Sequence, residues 1–149
     1  MNNEEQINFE DYLARYGSLT YKNKGTSMMP LLRQDRDLFT IVKKGPERCS
    51  KYDVVLYKDT RGHYILHRVI KVVPDGYIIR GDNTYRNEFR NDAEIIGVMT
   101  SLIRDGKEIS KEDTGYKLYS FLRNASYPFR YVYIQLRHAA GKLLKRNKG

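Results

Sequence analysis

Tyr64-Ile65-Leu66-His67-Arg68-Val69-Ile70-Lys71-Val72-Val73-Pro74-Asp75-Gly76-Tyr77-Ile78-Ile79-Arg80-Gly81-Asp82-Asn83 spells a strand, a turn and a second strand. β-branched and aromatic side chains dominate residues 64–73 and 77–80, and these fit a pleated, half-buried surface. Pro74-Asp75-Gly76 provides a fixed φ, a local side-chain acceptor and a residue free to take positive φ, so the second run turns back onto the first. Outward from this hairpin, residues 38–42, 53–58 and 95–104 have the same composition. Asp105-Gly106 makes another hairpin of 101–104 with 107–109, and Gly45-Pro46 and Arg61-Gly62 mark two loops. From residue 19 to 109 the chain reads as mainly β: a compact, strongly bent domain of short strands with regular turns.

Helices flank this region. Asn8 is a good N-cap with Asp11 three residues on, and Phe9, Tyr12, Leu13 and Tyr16 form one apolar stripe that Gly17 ends. The stripe is expected to pack on the domain. After Asp113 the spacing predicts a short helix, capped by Thr114 and running to residue 123, with Asn124-Ala125-Ser126 and Pro128 as its interruption. A second helix from about Pro128 carries Phe129, Val132, Tyr133, Leu136, Ala140, Leu143 and Leu144 on one side. The expected organisation is an N-terminal helix at 1–18, a β-rich domain at 19–113 and a basic amphipathic helical tail at 114–149.

The net charge of +9 is unevenly placed. Residues 114–149 hold eight Lys/Arg and no acid, so the rest of the chain is nearly balanced at 19 against 18. A near-neutral body argues against a nucleic-acid groove, and a basic tail argues for a polyanion-seeking appendage. Two readings of residues 127–149 stand side by side: a helix lying on an anionic membrane surface, or one docked on the sheet with a solvated basic face. The longest apolar runs, such as Val54-Val55-Leu56-Tyr57, fall far short of the about 20 residues a spanning helix needs. Met1-Asn2-Asn3-Glu4-Glu5 is polar and acidic, unlike a secretory signal, and a lone Cys49 suits a reducing compartment. The expected location is cytoplasmic, free or peripheral on the inner face of the membrane.

Three elements carry chemistry. In Gly25-Thr26-Ser27-Met28-Met29-Pro30 a glycine lets the backbone bend around a substrate, Ser27 offers a hydroxyl, Met28 an adaptable apolar surface, and Pro30 stiffens the exit. Thr26, Met28 and Pro30 are the candidate substrate-binding residues. Strand alternation puts Ile65, His67 and Val69 on one face, so His67 emerges among apolar neighbours. Ile79-Arg80-Gly81-Asp82-Asn83 ends a strand in a polar turn, where Asp82 is placed to orient a histidine. His63 and His138 read as solvent-facing. No cofactor or metal motif is found.

Together, Gly25-x-Ser27-Met28-x-Pro30, Asp53-Val54-Val55, His67-Arg68-Val69-Ile70 and Gly81-Asp82-Asn83 resemble the signal peptidase I superfamily, of which the self-cleaving phage-type repressors are more distant members. The similarity covers about residues 21 to 97 in the family's order. Bacterial members have lysine before Arg-Val-Ile; His67 stands there instead, as in the enzymes of the endoplasmic reticulum and archaea. The resemblance implies a serine endopeptidase of precursor peptides or proteins, with Ser27 as nucleophile, His67 as general base and Asp82 as orienting acid. It also implies a Ser27 N–H in the oxyanion hole and a preference for small residues before the cut. The chain departs from the family in having no spanning anchor, Tyr52 for the usual glycine before Asp53, and no usual second acid in Thr84-Tyr85-Arg86-Asn87-Glu88; Asp92 is a distant alternative acid. The other class of function is a catalytically inactive peptide-binding module on the same fold, using a strand edge and docked on membrane by its tail.

Overall fold

Asn8 takes an extended backbone and its side chain accepts the Asp11 N–H at 3.2 Å, which starts helix α1 (Phe9–Tyr16). Gly17 ends the helix with a φ of 78°, as a left-handed cap requires. Phe9 and Leu13 are buried, whereas Tyr12 and Tyr16 of the expected stripe are exposed and pack on each other. The computed structural model describes residues 8–148, so the acidic start of the chain lies outside the described residues.

Eight strands follow: β1 (Ser18–Lys22), β2 (Leu38–Lys43), β3 (Val54–Lys58), β4 (Tyr64–Val73), β5 (Gly76–Arg80), β6 (Glu88–Asn91), β7 (Gly97–Arg104) and β8 (Lys107–Ser110). They form one antiparallel sheet in the order β1-β2-β7-β3-β4-β5-β6, with β8 on β7. The fold is mainly β with three helices, and both expected hairpins are present. Val54 and Leu56 of β3 enter one core cluster with Phe9, Leu13, Met28 and Met99. Val55 and Tyr57 enter a second with Val69, Tyr77 and Ile79. Burial on both faces is why this strand has no polar alternation.

Helices α2 (Thr114–Ala125) and α3 (Tyr127–Arg146) complete the chain. Thr114 is the first helical residue rather than the cap; Asp113 holds the cap position without a side-chain bond. Pro128 sits in the first turn of α3, where its missing N–H costs nothing, so only Ser126 separates the helices. Phe9 and Leu13 of α1 and Tyr116 of α2 share the core with the sheet, because each helix has apolar surface that only the sheet can cover. Of the three α-helices, α3 alone contributes no buried residue. No helix among the described residues is long and apolar enough to cross a membrane.

The loop from residue 23 to 37, which bears Ser27, closes on one carboxylate. Asp37 accepts the Arg33 N–H at 2.8 Å, the Arg33 guanidinium at 2.9 Å and Arg104 Nη2 at 2.9 Å. Arg104 also donates to the Leu31 carbonyl at 2.7 Å. Burial pushes the Asp37 carboxyl up, and the bonds from Arg33 and Arg104 overcome this, holding it at about 2 against an ordinary 3.8. A depressed native pKa stabilises the fold above the unfolded value, and that stability is lost as pH falls towards 2. Asp37→Asn is therefore expected to remove about 2 kcal/mol of this acid dependence, read from urea midpoints between pH 6 and pH 2.5.

Candidate active site

β4 places His67 and Arg68 back to back, since successive side chains leave a strand on opposite faces. On the His67 side, the register pairs Val55 with His67, so Tyr57, two residues along β3, is the diagonal neighbour on the same face. Its hydroxyl lies 3.1 Å from His67 Nδ1 and donates to Glu88 Oε2 at 2.6 Å. A carboxylate only accepts, so the Tyr57 proton points to Glu88 and its lone pair to the imidazole. Nδ1 must then carry the proton and Nε2 the lone pair. Nε2 makes no hydrogen bond among the described residues.

Burial, the largest influence, pulls the His67 pKa below its ordinary value; the charges of Glu88 and Asp82 oppose this in part. The imidazole is therefore neutral at physiological pH. Burial and the bond to Glu88 raise the Tyr57 pKa, which keeps its hydroxyl protonated.

The Ser27 turn and the His67 imidazole both lie against Gly81, with no hydrogen bond between the Ser27 hydroxyl and the imidazole among the described residues. A Cβ on Gly81 would stand 2.6 Å from the Ser27 carbonyl oxygen and 3.0 Å from His67 Nε2, a space only glycine leaves open. The Asn83 N–H donates to the same Ser27 carbonyl at 2.8 Å, and Asn83 Nδ2 to the Thr26 carbonyl at 3.1 Å. The turn carrying Ser27 is thus stitched to the Gly81-Asp82-Asn83 turn beside His67. The Ser27 N–H donates to no backbone carbonyl among the described residues.

Asp82 stands elsewhere. Its carboxylate accepts Arg68 Nε at 2.7 Å, Arg68 Nη2 at 2.8 Å and the Tyr119 hydroxyl at 2.8 Å. It is not the hydrogen-bond partner of His67, which corrects the orienting role expected for it. The reason is register. From Val73↔Gly76 to Lys71↔Ile78 the hairpin is regular, and continued unchanged it would set His67 opposite Asp82. A bulge between Val69 and Lys71 shifts the ladder by one, to Arg68↔Arg80. One step further, His67 faces Gly81, and Asp82 continues the face of Arg80 and Arg68. Asp92, the alternative acid, bonds the Tyr77 hydroxyl and Lys44.

The Arg68 guanidinium also donates to the Tyr52 carbonyl at 2.9 Å and to Ser120 Oγ at 2.7 Å. Tyr52 itself has a φ of 77°, a conformation that favours glycine.

A cleft of about 210 Å³ opens beside Ser27 between residues 21–25 and 64–66. Met28, Phe39, Leu56 and Leu66 give it an apolar wall. Of the expected substrate-binding residues, Met28 lines it; Thr26 and Pro30 do not, their carbonyls being taken by Asn83 and Arg104. His63 and His138 are exposed, as expected.

Tyr57 and Glu88 are the residues around His67 that sequence reasoning missed. Tyr57 is concealed in an apolar run, and Glu88 in a stretch with no β-branched residue; the antiparallel register is the signal that joins them. No family model matches the chain, and no curated protein is similar to it in sequence.

Proposed function

We propose that the protein is a serine endopeptidase of the signal peptidase I type, cleaving peptide or protein precursors with Ser27 as nucleophile and His67 as general base. The observation that carries this reading is the junction at Gly81, where a neutral imidazole turns its unprotonated nitrogen towards the Ser27 turn. The motif resemblance supports it, and so does the glycine-like φ of Tyr52 at the family's glycine position.

The Ser27 hydroxyl attacks the scissile carbonyl while Nε2 takes its proton. The resulting imidazolium keeps its Nδ1–H on Tyr57, whose own proton is held by Glu88, so positive charge develops one hydroxyl away from a carboxylate. The unengaged Ser27 N–H is available to the oxyanion. His67 then protonates the leaving amine and activates water for deacylation. The cleft is smaller than the about 300–1,000 Å³ of sites for drug-sized ligands, a size for short apolar side chains of an extended peptide.

The test is digestion of a peptide library near pH 7.5 in H₂¹⁸O, with products read by mass spectrometry. Expected products carry one ¹⁸O at a new carboxyl terminus, with small residues before the cut. Peptides retained but left intact would assign the protein instead as a peptide-binding module.

Two further outcomes follow from the imidazole's surroundings. Because the His67 pKa is lowered, kcat/KM is expected to reach its plateau below the pH at which an ordinary histidine, near ~6.5, would titrate. Tyr57→Phe removes the acceptor for Nδ1–H, and this bond is stronger to the imidazolium. The acid limb is expected to move to lower pH, with kcat reduced about tenfold, as one buried hydrogen bond of ~1–3 kcal/mol implies. A purely structural tyrosine would leave the limb where it is.

A further inference from the structure

Helices α2 and α3 carry two stripes that run on through the Ser126 junction. Tyr116, Ser120, Arg123, Tyr127, Arg130 and Ile134, at alternating steps of four and three, form one stripe of buried or half-buried positions, with Tyr119, Asn124 and Ser126 half-buried beside it. Ser120 bonds Arg68, Arg123 and Arg130 bond the Asp82 carbonyl, and Tyr127 donates to the Tyr85 carbonyl at 2.9 Å. On the opposite side, with the same alternation, stand Leu118, Leu122, Phe129, Val132, Leu136 and Leu143, spaced out by Ala125 and Ala139. All six are exposed, Phe129 at 79% and Leu136 at 65%. A stripe this long and this open, facing away from the body, is a surface built for another phase or another molecule.

Charge decides between the occupants. Residues 114–149 contain eight cations and no acid. Two copies meeting along this stripe would bring like charges together with no carboxylate on either helix to pair them, against what a coiled coil requires. An anionic surface meets the same cations with attraction, and an apolar stripe flanked by Lys and Arg is the form of a helix lying in a lipid interface. The exposed Tyr131 and Tyr133 add rings suited to that depth.

We propose that α2 and α3 together form one interfacial arm that docks the protein on anionic membrane, with Leu118 to Leu143 in the headgroup–acyl boundary. The arm is longer than the segment from residue 127, since α2 contributes Leu118 and Leu122. Because its inner stripe is fastened to Asp82 and Arg68, docking fixes the orientation of the Ser27 cleft relative to the bilayer. The proposal does not depend on the peptidase reading.

The experiment uses the whole chain and vesicles of phosphatidylcholine, alone or with an equal part of phosphatidylglycerol. Binding is read by co-sedimentation and by the emission shift of Phe129→Trp, an exposed position. At least tenfold tighter binding to the anionic vesicles is expected, weakening as salt is raised. Leu136→Gln/Leu143→Gln, both exposed and so without cost to the fold, is expected to lose at least tenfold of it. No binding to anionic vesicles overturns the proposal. Equal binding by the double variant overturns it too, reducing the attraction to charge alone. Lipid-free dimers at micromolar concentration that the double variant abolishes would assign the stripe to a second copy.

Discussion

Ser27→Ala and His67→Ala are each expected to lower kcat of peptide cleavage by about 10⁴–10⁶-fold, and the double variant by no more than either alone. Non-additivity is the informative part. If Ser27 and His67 act as proposed, they act as one unit, so removing either removes the whole attack, and what remains comes from binding and backbone donors. Ser27 is half-buried and donates to no structural partner among the described hydrogen bonds, so its replacement should shift stability by less than about 0.5 kcal/mol. His67→Ala also leaves the Tyr57 hydroxyl oxygen without its Nδ1–H donor, though its own bond to Glu88 remains. His67→Gln, which keeps a polar group near it, separates lost catalysis from lost packing. Single-turnover assays with the cleaved library peptide measure both, and cleavage that survives either substitution would remove the assigned roles.

Asp82→Ala is expected to cost about 3–5 kcal/mol of folding stability, read from urea midpoints, because it leaves the Arg68 guanidinium charged and unpaired in the interior. The side chains are 0% and 2% exposed, and they meet through two charge-assisted bonds. Burial works against the charge of Arg68, and the bonds to Asp82 more than offset it. Arg68→Met/Asp82→Leu is expected to recover most of the loss, since two apolar groups of similar size need no partners. The Asp82 carboxylate also receives the Tyr119 hydroxyl, so hydrogen exchange should rise across α2 in the single variant. Asp82→Asn separates this role from an orienting one. An acid that held the imidazole by a hydrogen bond would take most of kcat with it when neutralised; a carboxylate bonded to Arg68 lowers stability instead, leaves kcat on the plateau nearly intact, and moves the acid limb only to lower pH by the loss of its nearby charge.

Much of the fold was legible. Pro74-Asp75 and Asp105-Gly106 announce their hairpins because turn backbones favour those residue types, whereas Gly76 stands in β5, where a Cβ would run into the Arg90 carbonyl oxygen. Asn8 and Gly17 delimit α1 for the same local reason. β6, with the sequence Glu-Phe-Arg-Asn, was not legible. No β-branched residue marks it, and it is a strand because β5 offers it a ladder. Helix α2 read as part of a tail because its cations are visible in sequence, whereas the burial of Tyr116 and Ser120 exists only once the sheet is assembled.

The amino-acid sequence by itself determined most of the strands, their turns, the basic arm and the three motifs, since each depends on neighbours a few residues apart. Only the tertiary structure decided who meets whom. One extra residue in the β4–β5 ladder turns Asp82 away from His67 and towards Arg68, and brings Gly81 up to the imidazole. Tyr57 and Glu88 become neighbours of His67 in the same way, through pairing across strands. A bulge leaves composition and alternation almost unchanged while reversing which face each later residue occupies, so its effect is fixed by the assembled sheet alone.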